Sequence, residues 1–398
     1  MPIDEISDLD SNVFSCYTGP DKGICEIDLP NKKQTANLQT TDDYFESLIA
    51  NESINWSKSH HRAYGISTSL YESNPVTKQT VGDPIADTYA ILGRNNNCIL
   101  LMADGVNWGV RSKRASRCAV RAALNYINKY LFFDNNNNNT NIRTTHDLFK
   151  IMSKAFDDAQ EFIIKNEGSM TTLCCSVVIK LKDSSLSGGH DDSSSTHVVC
   201  TLSIGDSTAY VFSKEKGIFE LTKGSRNVQN DRDIRDVGGA LGYVYGTKPD
   251  LSNINYSIMY IKSNDIVFLV SDGISDNFDP CISGCARKKT SSINEINGDL
   301  PVMEPYERYL CSLNHMFEIL MRNKTLNETI SAQEVCAMLI EHVVKLTEPK
   351  RQLLENGFAF IANLNNDEEK LKFQIKLRDD ALKLNGKLDH ASIVAYEI

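Results

Sequence analysis

The sequence lacks any run approaching the roughly 18 to 20 consecutive apolar residues that a membrane-spanning helix needs. Its first residues, MPIDEISDLDSN, are acidic where a secretory leader needs a basic start and an apolar run. These absences exclude the spanning and secreted readings, so the expected home is the cytoplasm, with the nucleus left open. Positive charge is also short, with 42 Lys and Arg against 52 Asp and Glu, a net charge of −10. A nucleic-acid backbone or an anionic membrane would repel such a chain on balance, so neither is an expected partner. A cysteine framework is missing too. The eleven cysteines are odd in number and scattered, which fits reduced, buried thiols better than disulfides. Cys281 and Cys285 have no second ligand pair at zinc spacing, and Cys174 and Cys175 lie in an apolar strand pattern without the arginine cradle of a cysteine phosphatase. The run Gly238-Gly239-Ala240-Leu241-Gly242 lacks the strand-to-helix setting of a dinucleotide fingerprint.

What is present is a chain of 398 residues, 41% hydrophobic and 24% charged, ample for a large core. Residues 1–60 are polar, without sustained periodicity, and read as a disordered or loosely docked extension. A single domain is expected over 61–398, with loop insertions near 134–144, 183–196 and 279–305. Thr88–Leu92 and Cys98–Ala103 read as a hairpin, followed by two amphipathic helices over about 111–131 and 148–163. A series of strands runs from Thr171 to Ser271, then helices near 310–320, 335–346 and 367–384, then a last strand, Ala391–Glu397. Strands arriving in runs and helices in pairs point to a layered α+β fold with antiparallel sheets rather than a doubly wound array.

Three aspartates directly abut apolar strands: Asp104 in LLMADG, Asp272 in VFLVSDG and Asp389 in KLDHASIVAYEI. A carboxylate there can project into a cleft from a fixed strand, although Asp-Gly at a strand end is also ordinary turn chemistry. Asp206 in TLSIGDSTAYVF and Asp276, four residues after Asp272, enlarge the set. Gathered together, such carboxylates suit hard cations such as Mg²⁺ or Mn²⁺.

The order of GDPIADTYA, LLMADGVNWG, GSMTTLCCSVV, LSIGDSTAYVF, GGALG, FLVSDGISD and LDHASIVAYEI resembles the successive motifs of the metal-dependent PP2C (PPM) serine/threonine phosphatases, over roughly residues 62–398. The resemblance implies an α-β-β-α sandwich of two antiparallel sheets flanked by helix pairs. It implies two Mg²⁺ or Mn²⁺ ions, bridged by Asp104, with the Gly105 carbonyl on one and Asp272 and Asp389 completing the second site. Asp206 and Asp276 match a third, weaker metal position, and Asp87 matches the acidic residue that orients metal-bound water. The implied activity is hydrolysis of phosphoserine or phosphothreonine by a metal-bridged hydroxide, with a phosphoprotein substrate.

The chain departs from that pattern in catalytic support. Gly82 stands near the usual phosphate-gripping arginine, Ala86 replaces a glutamate beside Asp87, Val106 replaces a histidine that serves as general acid, and His390 replaces an asparagine after Asp389. A general acid contributes about 10²–10⁴-fold. The sequence therefore carries two readings: a divergent metal-dependent phosphatase, or a pseudophosphatase that binds a protein partner. Arg62, Lys78 and Arg111 are the candidate substitutes for the phosphate clamp, and Trp108 is a candidate wall of the cleft.

Overall fold

The computed structural model describes residues 4–28, 56–75, 77–132, 142–182, 197–231, 233–288, 300–322, 324–325 and 328–398. Strands β1 (Val13–Gly19), β2 (Ser57–Lys58), β3 (Ala63–Ser69), β4 (Thr88–Arg94) and β5 (Asn97–Ala103) precede a helix pair, α1 (Val110–Phe132) and α2 (Thr145–Lys165). Then come β6 (Met170–Thr171), β7 (Leu173–Lys180), β8 (His197–Ile204), β9 (Thr208–Ser213), β10 (Gly217–Glu220), β11 (Ala240–Tyr245), β12 (Lys248–Asp250), β13 (Asn255–Ile261) and β14 (Ile266–Val270). A single turn, α3 (Asp272–Ser275), leads to β15 (Arg287–Lys288) and β16 (Val302–Met303). Helices α4 (Pro305–Met321), α5 (Ala332–Ala362) and α6 (Asp367–Leu382) precede the closing β17 (His390–Glu397).

Two antiparallel sheets carry the fold, one ordered β13-β8-β7-β5-β4-β1-β2 and the other β10-β9-β14-β17-β3. Their central strands are apolar at almost every position because both faces are covered. Along β4 and β5, Ala90, Leu92, Ile99 and Leu101 pack outward with Ala119, Leu124, Met152 and Phe156 of α1 and α2. The alternate residues Ile91, Leu100 and Met102 pack inward with Val211, Leu269 and Val394 of the second sheet. On that sheet's far side Phe212, Phe268 and Ile393 meet Leu320, Leu339 and Val343 of α4 and α5. Helix pair, sheet, sheet and helix pair therefore form the expected α+β sandwich.

The amino-terminal segment departs from expectation. Val13–Gly19, VFSCYTG, is not an extension but a strand within the first sheet, paired with β4 from Val13 to Gly19, and Ile6, Ile24 and Ile27 enter the core. A short apolar strand bounded by Asp, Ser and Asn gives too brief a pattern to rise above its polar flanks. The insertion expected at 183–196 and most of the one at 134–144 lie outside the described residues. In the segment 279–305, β15 and β16 form a two-stranded parallel pair, and Arg308 of α4 holds the start of the segment by ion pairs to Asp279 and Asp231 at 2.5 Å. Among the described residues no helix is long and apolar enough to cross a membrane.

Candidate metal centre

Strand register brings the acidic residues to one end of the sandwich. Val270 of β14 pairs with both Ile393 of β17 and Thr208 of β9, so the residues just beyond those strands, Asp272, Asp389 and Asp206, meet. Met102 of β5 pairs with Cys174, which pairs with Ser203 of β8, and this carries Asp104 to the same end. The backbone of Asp104 is fixed by the GSMTT segment. Its N–H donates to Thr172 Oγ1 at 2.9 Å, and its carbonyl accepts from Thr171 Oγ1 at 2.8 Å and the Thr172 N–H at 2.9 Å. Asn253 grips Gly205, next to Asp206, through its N–H at 3.0 Å and its carbonyl at 2.9 Å. Asp272 opens α3, and Gly273 behind it lies so close to β17 that a Cβ would fall 2.0 Å from the His390 carbonyl, which only glycine avoids.

Asp104, Asp206 and Asp272 each offer a carboxylate oxygen, and these oxygens all lie within 4.8 Å of one another. Burial, and then the charges of Asp87, Asp272, Asp389 and Asp206, push the Asp104 carboxyl well above the usual carboxylate range. Burial, then Asp389 and Asp206, do the same to Asp272, with Lys387 opposing. Asp87 has no solvent exposure and makes no hydrogen bond of good geometry. Burial raises its carboxyl as well, partly offset by His390 and by the nearby Ser392 and Ser271 hydroxyls. Gly105 bridges to Thr171 beside the cluster.

The other acidic residues are gathered by a group the sequence reading did not select. Lys387 Nζ pairs with Asp276 Oδ2 at 2.9 Å, with Asp389 Oδ2 at 2.9 Å and with Asp272 Oδ2. Burial alone would lower this ammonium's pKa, but Asp276, Asp272 and Asp389 raise it well above the ordinary lysine value. Its backbone is fixed too. Asn277 accepts the Lys387 N–H at 2.7 Å and donates to the Lys387 carbonyl at 3.0 Å, and the preceding Gly386 carbonyl accepts from Lys350 Nζ. The available signal was proximity in sequence, since Lys387 stands two residues before Asp389. Asp389 Oδ1 also accepts from Tyr71 Oη at 3.1 Å, and Trp108 Nε1 donates to that same Oη at 2.9 Å. Trp108 is 54% exposed and stands at the lip of the cleft.

Tyr71, Gly82 and His390 form the remaining wall, and their protons and backbone groups are engaged with one another, with Asp389 and with the 82–86 segment. Gly82 has φ +85°, and a Cβ there would sit 2.8 Å from the Tyr71 ring and 3.2 Å from His390, so no side chain fits. His390 Nδ1 accepts the Ala86 N–H at 3.3 Å and its Nε2 lies 3.1 Å from the Gly82 carbonyl, so the ring pins the 82–86 segment to β17. Arg62 directly precedes β3, at the opposite end from Ser69, about 23 Å away at 3.3 Å per residue, and donates to the Glu397 carbonyl. Arg111 donates to the Glu167 carbonyl, and Lys78 sits on a turn with φ +60°. Cys174 and Cys175 are fully buried in β7, and burial pushes both thiols up, away from the thiolate a nucleophile needs.

The donor set of Asp104, Asp206 and Asp272 fits one hard divalent cation, which would relieve the mutual repulsion that raises the Asp104 and Asp272 carboxyls. A second ion does not fit as well. The carboxylates expected to complete its site, Asp272 and Asp389, already hold an ammonium, which Asp276 of the expected third position shares.

The fold and site together define a helix-flanked double-sheet sandwich whose strand-end aspartates converge on one cleft. No family model matches the chain. A PP2C-like domain-containing protein of Drosophila melanogaster is 40% identical over 239 residues, 60% of this chain and 32% of that protein, so the chain spans about a third of its relative's length. Among solved structures, the PP2C phosphatase domain of SpoIIE from Bacillus subtilis overlaps 85% of this chain and 63% of its own at 12% identity, with a TM-score of 0.40. The Mycobacterium tuberculosis serine/threonine phosphatase PstP/Ppp overlaps 84% and 98% at 12% identity, with a TM-score of 0.39. Both overlays are loose. Over the matched 239 residues the chain is similar to a PP2C-like domain.

Proposed function

We propose that this PP2C-like domain is a pseudophosphatase, which keeps the acidic cleft as a one-cation centre and acts by binding a protein partner rather than by hydrolysing phosphoserine or phosphothreonine. The observation that carries this reading is the wall of the cleft. Where phosphate must be gripped, Gly82 offers no side chain and Tyr71 and His390 fill its place. Where a proton must be delivered, Val106 has none to give. Where an outer carboxylate would hold metal-bound water, Ala86 is a fully buried methyl. Losing the proton donor alone costs about 10²–10⁴-fold, and losing the clamp removes positioning and charge stabilisation as well. In this reading Asp104, Asp206 and Asp272 hold the Mg²⁺ or Mn²⁺, with Asp87 behind them, and the Gly105 carbonyl is available at the rim. The ion, when bound, supplies charge neutralisation to an otherwise repulsive cluster.

Partner binding is supported by a groove of about 1530 Å³ beside the cleft, lined among others by Tyr71, Trp108, Arg287, Lys350, Phe358 and Arg378. Its mixture of aromatic, aliphatic and basic side chains suits a protein segment with apolar anchors and acidic neighbours. The test is hydrolysis of a small aryl phosphate and of a phosphoserine peptide by the full chain in millimolar Mn²⁺ or Mg²⁺. The expected rate is no greater than that of Asp104→Asn. Metal-dependent turnover that Asp104→Asn abolishes and Cys174→Ser leaves intact would establish a phosphatase instead.

A further inference from the structure

We infer that Lys387 is a built-in cation, its ammonium taking the place of a second metal ion among Asp272, Asp276 and Asp389, so that the cleft accepts one divalent ion and not two. The geometry carries this. One nitrogen contacts an oxygen of each of three aspartates, which come from two separate stretches of chain, the α3 turn and the approach to β17. Its side chain is only 16% exposed, so the contact is not the loose surface pairing of an external lysine. The backbone on either side is held, by both Asn277 amide groups at Lys387 itself and by Lys350 at Gly386. A lysine anchored this closely does not swing out of the cleft as a free rotamer would.

Charge count explains why one ion is still required. Among the described residues Asp87, Asp104, Asp206, Asp272, Asp276 and Asp389 bring six carboxylates together, and Lys387 is ion-paired with three of them. The excess lies around Asp104, where Asp87 is cut off from solvent and repels its neighbour. A divalent ion between Asp104, Asp206 and Asp272 answers that excess, while an ion on the other flank would have to displace the ammonium. Lysine and metal are therefore alternatives on one flank and complements across the cleft.

This inference rests on reading the cleft as a cation centre, but it is tested by stoichiometry rather than turnover, so each can fail alone. Turnover with a single bound ion would sink the pseudophosphatase and leave Lys387 in place. Two ions without turnover would do the reverse. The experiment is equilibrium Mn²⁺ binding with electron paramagnetic resonance of the bound ion, on the full chain. Wild type should bind one ion and give an uncoupled six-line signal. Lys387→Met should bind one ion more and show a spin-coupled pair, and Lys387→Arg, which keeps the charge, should stay at one. Should Lys387→Met fail to fold, Lys387→Gln is read by the same criterion. Two ions or none in wild type, or an unchanged count in the folded uncharged variant, overturns the inference.

Discussion

On one flank of the acidic cleft, Asp104, Asp206 and Asp272 crowd their carboxylates together. On the other, Asp276 and Asp389 share the Lys387 ammonium with Asp272. The two flanks begin from the same device, an aspartate at the end of a rigid apolar strand, and differ in what neutralises it. In the proposed reading one flank takes an ion from solution and answers to metal concentration. The other carries its counter-charge in the chain and is complete once folded. In the proposed one-ion reading, such a protein keeps the geometry of a two-ion cleft while giving up the pair of ions that a bridging hydroxide requires.

The largest effect that would break the contrast is removal of the internal charge. In chelator, Lys387→Met should lose about 3–5 kcal/mol of stability by chemical denaturation, because three partly buried carboxylates are left without their partner. Added Mn²⁺ should restore more of that loss than it gives wild type. Equal denaturation midpoints for variant and wild type in chelator would show that the ammonium contributes nothing there. Next in size is the external ion itself. Mn²⁺ at 100 times its dissociation constant should stabilise wild type by about 2.7 kcal/mol. Asp104→Asn should abolish that gain, and a wild-type melting curve indifferent to millimolar Mn²⁺ would remove the metal-dependent flank altogether.

Smaller again is Asn277→Ala, which frees the N–H and carbonyl of Lys387 and should cost about 1–3 kcal/mol while leaving Mn²⁺ stabilisation intact. The least of these effects sharpens the comparison by pH. His342 stacks on Phe278, next to the turn bearing Asp276, at 4.8 Å, and burial holds its imidazole down to about 4. The unfolded chain, with histidine near 6.5, takes up the proton first, so this contribution is complete above about pH 6.5 and is lost as pH falls toward 4. Between pH 7.5 and 5, wild type should therefore lose stability relative to His342→Phe, measured by the difference in denaturation midpoints. A constant difference across that range would show that His342 does not titrate on unfolding.

The sandwich was legible because its central strands are buried on both faces and announce themselves as apolar runs such as NCILLMA and IVFLV. The strand-end aspartates were legible for the same reason, since Asp104 and Asp272 directly follow those runs. Strand β1 was hidden because VFSCYTG is short and enters the sheet only through long-range pairing with β4. Lys387 was hidden for a different reason. A lysine between a charged helix and a strand reads as a solvated residue, and nothing local marks the Asn277 clamp 110 positions earlier that turns its backbone into the cleft. Tyr71 was equally silent, because its bond to Asp389 spans 318 positions and depends on β3 and β17 being neighbours.

The most direct measurement is anomalous diffraction at the manganese edge from crystals of the wild-type chain grown with millimolar Mn²⁺. One peak is predicted, within bonding distance of Asp104, Asp206 and Asp272, with Lys387 still against Asp276 and Asp389. A second peak between Asp272 and Asp389 with the lysine displaced, or no peak in the cleft, would contradict the account.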